Sequence, residues 1–150
     1  MQILPSLITG GVERGAIDVT QALTAAGWRA IVVSSGGPMM HEVERAGGLH
    51  IQFPAESKNP ITAYRNISRL VALVKEHKVD ILHARSRVPA WSALRAARKT
   101  GTKFITTFHG NYNAGNPLKK FYNSVMARGD LVIAISQFIG DQVCDRYGVP

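Results

Sequence analysis

Short apolar segments alternate with segments of helical periodicity along the chain. The apolar segments are rich in Ile, Val and Leu, which is typical of strands whose two faces are both covered. Such alternation is the pattern of repeated βα units, and it predicts a mostly parallel sheet of about six strands. The predicted strands are residues 2–7, 29–34, 49–53, 81–84, 103–108 and 131–135.

The helical segments between these strands have recognisable starts and stops. Pro60 is a good first-turn residue, and Ser136 is a good N-cap for a final helix. Gly27 and Gly101 follow helical segments and are predicted to lie at their C-terminal caps. After Pro60, apolar side chains recur at three- and four-residue spacing and are predicted to form a core stripe: Ile61, Tyr64, Ile67, Leu70, Val71 and Val74.

These elements predict a single α/β domain over residues 1–150, with a Rossmann-like, doubly wound sheet and helices on both faces. A content of 45% hydrophobic and 19% charged residues is enough for one proper core. Cys144 is the only cysteine, which excludes an intrachain disulfide and a four-cysteine zinc site. The expected setting is therefore the reducing cytoplasm, including the inner face of the cell membrane.

The net charge of +8 comes from 18 Lys and Arg residues against 10 Asp and Glu residues. A charge of this size predicts an anionic partner. Nucleic acid, acidic lipid headgroups and diphosphate-bearing substrates all fit, because such a field attracts any polyanion. The motifs must choose among them.

A glycine pair, Gly10 and Gly11, follows the first predicted strand, and a helical segment that contains Arg14 comes next. Paired glycines let the backbone turn sharply and leave N–H groups bare at a helix N-terminus, where a phosphate is favoured. The pair is therefore a candidate phosphate site. The structural alternative is that many strand-to-helix turns need a glycine for conformation alone.

Two common nucleotide motifs are excluded. The dinucleotide fingerprint needs G-x-G-x-x-G and an acid at the end of the next strand, but that strand ends at Ser34, Ser35 and Gly36. The nucleotide-triphosphate loop needs a lysine after its last glycine, but Gly15 is followed by Ala16. Neither a nicotinamide cofactor nor ATP hydrolysis is predicted.

Polar side chains follow the fourth and fifth predicted strands: His83, Arg85 and Ser86 at the fourth, and His109 and Gly110 at the fifth. Ligands of open α/β sheets bind at the carboxyl ends of the strands. An arginine offers planar donors to a phosphate or carboxylate, and a histidine can face a cleft beside a glycine that lets a ligand come close. His109 is the leading candidate, and the alternative for each residue is an internally satisfied side chain.

A basic and aromatic segment at residues 116–128 is predicted to be an amphipathic helix. Two interpretations fit its basic and aromatic residues, Lys119, Lys120, Phe121 and Tyr122. The helix is either packed, with a solvated lysine pair, or forms a surface that docks on acidic lipid.

Four segments, taken in order and spacing, resemble the N-terminal domain of family-4 retaining glycosyltransferases of the GT-B fold. They are residues 5–14, 80–86, 107–110 and 130–136, and they span nearly the whole chain. This family is rich in bacterial lipopolysaccharide and exopolysaccharide enzymes. The resemblance implies an enzyme of two Rossmann-like halves with its active site in the cleft between them. The second half, absent from this chain, would grip the nucleotide.

The resemblance also implies roles for the strand-end residues. Gly10, Gly11 and Arg14 would serve the donor diphosphate, Arg14 by positioning the loop, and His109 would contact the transferred sugar or phosphate. The acceptor side would be lined by His83, Arg85, Ser86, Gly110 and Ser136. In many relatives a second histidine stands where this chain has Arg85.

The implied reaction moves a sugar from a nucleotide-diphosphate sugar to a cell-envelope glycan or glycolipid. The acceptor would attack from the leaving-group face and the diphosphate would take the proton. No D-x-D or H-x-x-x-H spacing occurs, and no metal or other cofactor is expected. Residues 1–150 alone are expected to be inactive, since the donor half is absent.

Two other functions remain open. A GT-B sugar-nucleotide epimerase would share the fold but place acidic catalytic residues where these strand ends carry His and Arg. A non-enzymatic basic module would bind anionic lipid or another polyanion with an affinity that falls steeply with salt. RNA-recognition signatures with paired aromatics are missing, so nucleic acid is not an expected partner.

Overall fold

The computed structural model describes residues 1–113 and 115–149, so Pro150, the last residue of the predicted domain, lies outside the described residues. Six strands are present: β1 Gln2–Ile3, β2 Ile31–Ser34, β3 Leu49–Gln52, β4 Ile81–Ala84, β5 Lys103–Phe108 and β6 Leu131–Ala134. The helices are α1 Gly11–Ala25, α2 Met40–Arg45, α3 Pro60–His77, α4 Arg87–Thr100, α5 Pro117–Asn123 and α6 Gln137–Tyr147. A 3₁₀ helix, Ser124–Ala127, follows α5 directly.

All six strands are parallel and form one sheet in the order β3-β2-β1-β4-β5-β6. The chain winds outward in both directions from the neighbours β1 and β4, which is the doubly wound arrangement with its switch point between these two strands. Hydrophobic side chains pack on both faces of the sheet, with Leu70, Leu94 and Ile139 in one cluster and Ile17 and Val43 in the other. The predicted Rossmann-like α/β fold, with helices on both faces, is confirmed.

Strand β1 is shorter than predicted, with two residues in place of residues 2–7. Pro5 has no N–H to give to a ladder and so ends the regular pairing. The chain nevertheless continues beside β2, because Leu4 N donates to Val33 O and Leu7 N donates to Gly36 O. Helix α2 was not predicted, since its six residues are too few to show a helical period.

The predicted core stripe of α3 is only partly buried. Ile67, Leu70 and Val74 are buried, but Ile61 is 63% exposed and Tyr64 is 67% exposed. At this N-terminal end of α3, a groove between α3, α4 and α5 is lined by Tyr64 among others. The first two positions of the stripe therefore face the groove or solvent and not the core, and the prediction is wrong for them.

The caps agree with the sequence. Ser136 precedes α6, and its side chain accepts a hydrogen bond from Ile139 N at 3.3 Å. Gly101 caps α4 with φ +73°, and Gly27, at φ +80°, follows the C-cap residue Ala26 of α1. Among the described residues, no helix combines the length and the apolarity that a bilayer crossing requires.

The loops after β1 and β2 interlock at the carboxyl edge of the sheet. Met39 N donates to Leu7 O at 2.9 Å, and Ser35 N donates to Pro5 O at 2.8 Å. Gly37 has φ +141°, and a Cβ placed on it would overlap the carbonyl of Leu7. This contact fixes the segment that leads from β1 to Gly10.

Replacing Gly37 by alanine should lower the free energy of unfolding by more than about 2 kcal/mol, because the side chain meets both an unfavourable φ and the Leu7 backbone. The matched control is Gly101→Ala, which has a positive φ but no atom within 4 Å of the new Cβ. That variant should lose about 1 kcal/mol. Urea unfolding measures both losses, and equal losses would show that the Gly37–Leu7 contact is not tight.

Candidate functional site

Four chain segments reach the carboxyl edge of the sheet beside the switch point. They follow β1, β4, β5 and β6, which are consecutive neighbours in the sheet. Adjacent strands lie about 4.8 Å apart, so the four strand ends span roughly 15 Å. Residues predicted from separate parts of the sequence therefore share one edge.

Gly10 and Gly11 form the turn from β1 into α1. Gly10 has φ +136°, which side chains rarely adopt, whereas a Cβ on Gly11 would meet no atom within 4 Å. The backbone thus requires glycine at position 10, and the space beside position 11 is open. The first N–H groups of the 15-residue helix α1 point toward this space and favour an anion.

One carboxylate lies at the same turn. Glu13 Oε2 is 2.8 Å from the position that a Cβ on Gly10 would take. An acid in the first turn stabilises the positive end of the helix dipole. A phosphate bound at Gly10 would take over that role, so the Glu13 side chain would have to turn away.

Arg14 points away from the glycine turn. Its Nη2 lies 2.7 Å from Glu42 Oε2 in an ion pair that joins α1 to α2. This geometry fits the predicted role in positioning the loop. The guanidinium makes no described hydrogen bond to the glycine turn itself.

Arg85 is the most deeply buried of the predicted site residues, with 5% of its surface exposed. Its Nη1 donates to Gln2 Oε1 at 2.7 Å, and Gln2 Nε2 donates in turn to Ala16 O at 2.9 Å and Thr20 Oγ1 at 3.1 Å. The Arg85 guanidinium also lies against Gly15, where an added Cβ would stand 2.7 Å from Nη2. The side chain therefore lies between the sheet and α1. From the sequence, Arg85 was expected to line the acceptor side, and this burial is at odds with that expectation.

Gln2 and Gly15 belong to this arrangement and were not predicted. The available signal for Gln2 was a lone polar residue inside an apolar strand, next to Ile3. Its amide oxygen accepts one hydrogen bond from the buried guanidinium, and Gly15 leaves room for the Arg85 side chain. Arg85 Nε has no hydrogen-bond partner among the described residues.

The two histidines of the site are both neutral near pH 7. His83 pairs with Gln2 in the sheet register, and its Nε2 lies 2.7 Å from Thr107 Oγ1. Burial, and then the Arg85 charge, lower the pKa of His83 to about 3. The same two causes lower the pKa of His109 to about 4. Both rings are therefore hydrogen-bonding groups at this pH and not cations.

His109 has the freer ring of the two. Its Nε2 is buried and lacks a hydrogen-bond partner within the part of the chain that the structure describes. A Cβ on the next residue, Gly110, would meet no atom within 4 Å. The open space therefore lies beside Gly110, next to a ring whose buried nitrogen still lacks a partner.

Ser86 and Ser136 stand at the N-caps of α4 and α6. The Ser86 hydroxyl makes no capping hydrogen bond, whereas the Ser136 hydroxyl caps α6. The edge therefore carries the positive ends of three helices, α1, α4 and α6. Ser136 lies beyond β5, and no described hydrogen bond joins it to His83, Arg85 or His109.

The arrangement is suited to holding negative charge with backbone donors and neutral side chains. Within residues 1–113 and 115–149, no group of three or more His, Cys, Asp and Glu is placed to hold a metal ion. Helix N-termini and a neutral imidazole are groups that can stabilise a departing phosphate in a preorganised way. The edge thus fits a reaction in which negative charge develops on a leaving group.

Comparisons with known proteins identify the family. The model of Glycosyltransferase Family 4 matches residues 9–150. A crystal structure of a glycosyltransferase from Rickettsia africae ESF-5 is 40% identical, with a TM-score of 0.84, over 99% of this chain and 39% of that chain. A search of curated proteins found no match.

Two more distant structures share the fold. The apo form of the lipopolysaccharide outer core galactosyltransferase WaaB is 16% identical, with a TM-score of 0.65, over 97% of this chain and 42% of that chain. A sucrose-phosphate synthase from Thermosynechococcus elongatus is 15% identical, with a TM-score of 0.61, over 99% of this chain and 83% of that chain.

The chain spans about two fifths of the length of the Rickettsia glycosyltransferase and of WaaB. The family match covers residues 9–150 of this chain. It therefore includes the glycine turn and the polar residues that follow β4, β5 and β6. With a Rossmann-like half of the GT-B fold and this match, the chain belongs to glycosyltransferase family 4.

Proposed function

We propose that this domain is the acceptor-side half of a retaining hexosyltransferase, which moves a sugar from a nucleotide-diphosphate sugar to a cell-envelope glycan or glycolipid. The observation that carries the proposal is the neutral ring of His109, with its unpartnered Nε2, at the edge that also holds the N-terminus of α1. The nucleotide and its diphosphate are substrates, and no metal or other cofactor takes part.

The donor diphosphate approaches the glycine turn. Gly11 leaves space there, and the first backbone N–H groups of α1 donate to phosphate oxygens once Glu13 has turned away. As the sugar–phosphate bond breaks, negative charge grows on the diphosphate, and these fixed dipoles stabilise it without having to reorganise. The α1 terminus thus lowers the barrier to departure.

His109 contacts the transferred sugar. A neutral imidazole with one free nitrogen accepts a hydrogen bond from a sugar hydroxyl, or donates one, according to its tautomer. The acceptor attacks from the face that the diphosphate leaves, and the diphosphate takes the acceptor proton. No side chain of this half therefore acts as a general base.

The acceptor lies against the ends of β4, β5 and β6. His83, held by Thr107, and the hydroxyls of Ser86 and Ser136 provide polar groups for it, and Gly110 leaves the backbone accessible. Arg85 acts from beneath, as a positioning residue that holds α1 against β1 and β4 through Gln2. The enzyme works in the cytoplasm, at the inner face of the cell membrane where a glycolipid acceptor is displayed.

The first prediction concerns the need for a second half, which the proposal assigns to the nucleotide. Purified residues 1–150 should give no turnover with any nucleotide sugar, and activity should appear only in a chain that also carries a donor-binding domain. Release of nucleoside diphosphate by the two proteins measures this. Turnover by the 150-residue chain would refute the division of labour.

The second prediction concerns His109. In the active full-length enzyme, His109→Ala should lower kcat/KM for sugar transfer at least about tenfold, because a contact to the reacting sugar is lost. The melting temperature should hardly change, since Nε2 has no partner to lose. The matched control is His41→Ala on the exposed face of α2, which should leave both unchanged. Equal losses of activity and stability in His109→Ala would instead indicate a structural role.

The third prediction concerns pH. His83 has a folded-state pKa of about 3 against an ordinary value of 6.5, so the unfolded chain binds more protons throughout that interval. The contribution of the neutral His83 to the free energy of unfolding should therefore be complete above pH 6.5 and should fall as the pH drops toward about 3. His83→Gln should make this slope shallower, and the exposed His41→Gln should not. Urea titrations across the interval measure it, and identical slopes in all three proteins would contradict the assignment.

A further inference from the structure

The excess positive charge of this protein lies in one third of its sequence. Residues 81–129 contain nine Lys and Arg residues and no Asp or Glu, whereas the rest of the chain has nine bases against ten acids. This stretch includes α4, α5 and the 3₁₀ helix. A positive field should therefore be concentrated around these helices.

Helix α5 directs its apolar side chains outward. Leu118 is 80% exposed, Phe121 59% and Tyr122 40%, whereas the polar Asn123 is 1% exposed. Leu118, Phe121 and Tyr122 are three and four positions apart and so share one face of the helix. The buried Asn123 is well satisfied, since its amide donates to Asn113 O and its carbonyl accepts from Arg87 Nη1. The outward apolar face is therefore built into the packing of α5.

Two neighbouring helices extend this face. The exposed Tyr64 comes from the N-terminal turns of α3, and Trp91 comes from α4, with its ring centroid 5.4 Å from that of Phe121. The Trp91 Nε1 donates to Tyr122 O at 3.2 Å, which fixes the ring against α5. The groove between the three helices is lined by Tyr64, Trp91 and Phe121 among others.

Cations belong to the same surface. Arg128 stacks over the rings of Trp91 and Phe121, at 5.2 and 5.6 Å from their centroids, and Arg95 lines the groove. Lys119 and Lys120 are exposed on α5. Across residues 1–113 and 115–149, the ion pairs join Arg14 to Glu42 and His41 to Glu44, so no carboxylate neutralises these four cations. We call these residues the basic-aromatic surface: Tyr64, Trp91, Arg95, Leu118, Lys119, Lys120, Phe121, Tyr122 and Arg128.

We propose that the basic-aromatic surface docks this protein on an anionic lipid bilayer. A bilayer interface accepts both halves of the surface at once, because aliphatic and aromatic side chains enter the acyl boundary while Lys and Arg meet anionic headgroups. Nucleic acid matches it less well, since the exposed Leu118 has no flat face on which a base could stack. This exposed aliphatic side chain therefore favours lipid over RNA.

The position of the surface suits the proposed function. Docking on a bilayer extends that function to the membrane, and the biological meaning of the docking rests on the proposed function. Helices α3, α4 and α5 begin after β3, β4 and β5, so their N-terminal turns lie toward the carboxyl edge that carries His109. A bilayer bound there lies on the side of the molecule that carries the proposed acceptor site. The surface thus holds the site next to a lipid-linked acceptor.

The experiment is cosedimentation of the purified protein with lipid vesicles, without donor or acceptor. The protein should bind vesicles that contain phosphatidylglycerol and should not bind vesicles of pure phosphatidylcholine. Lys119→Glu/Lys120→Glu and Leu118→Ala/Phe121→Ala should each weaken binding at least about tenfold, by removing the charge and the apolar contribution respectively. Melting temperatures identify any variant that fails to fold, and Leu118→Ala alone keeps the apolar test valid if Phe121 is needed for packing.

The matched control is Lys75→Glu/Lys78→Glu, which changes the net charge equally. Both lysines are exposed, but they lie at the C-terminal end of α3, the end opposite the turns that contribute to the surface. This control should bind vesicles like the unmodified protein. In a Trp28→Phe background, Trp91 fluorescence should shift to the blue and be quenched by brominated lipid only when anionic vesicles are present.

Four outcomes would overturn the proposal: equal binding to uncharged vesicles, equal loss in the Lys75/Lys78 control, no binding to either vesicle, or binding to RNA with none to vesicles. Sugar transfer to a water-soluble acceptor is measured separately. Loss of vesicle binding with transfer intact would reject this surface and leave the transferase proposal standing. Vesicle binding without transfer in the full-length protein would reject the transferase proposal and leave this surface standing.

Discussion

The hydrogen bond from Arg85 to Gln2 is the interaction on which the site depends. It joins residues 83 positions apart and ties β4, β1 and α1 together at the switch point of the sheet. Removing either partner would leave a buried polar group unsatisfied, at a cost of about 1–3 kcal/mol, and more for the guanidinium. The same buried cation helps to keep the rings of His83 and His109 neutral. One contact therefore fixes the position of α1, and its cation adds to the burial that lowers the pKa of both histidines.

Much of the fold follows from local pattern. Parallel strands covered on both faces must be apolar along their length, so β4 and β5 were predicted to the residue. The Ser136 and Gly101 caps were also predictable, because capping is decided by neighbours in sequence. The end of β1 was predicted wrongly, because the apolar residues around Pro5 suggested that the strand continued through it. The exposed Ile61 and Tyr64 show that periodicity finds a helix face but not what covers it.

The site was predictable in its location and less so in its chemistry. Strand ends carrying His109 and the glycine turn share one edge because the sheet is parallel, which the sequence pattern already implies. The burial of Arg85 could not be predicted, because it depends on Gln2 and Gly15 meeting it in space. An arginine at a strand end is usually taken for a ligand contact, whereas here its guanidinium supports the site from below.

A net charge of +8 does not distinguish a diphosphate from a lipid headgroup, but the two kinds of cation in this structure do. Arg85 is buried, and interactions of buried charges are only weakly screened by salt. Lys119 and Lys120 are exposed, so their attraction to anions weakens within a Debye length of about 10 Å at 0.1 M salt. The edge at His109 is thus suited to short-range, preorganised binding of a small anion. The exposed lysines are suited to a broad charged surface, so the two proposed partners use different groups and do not compete for them.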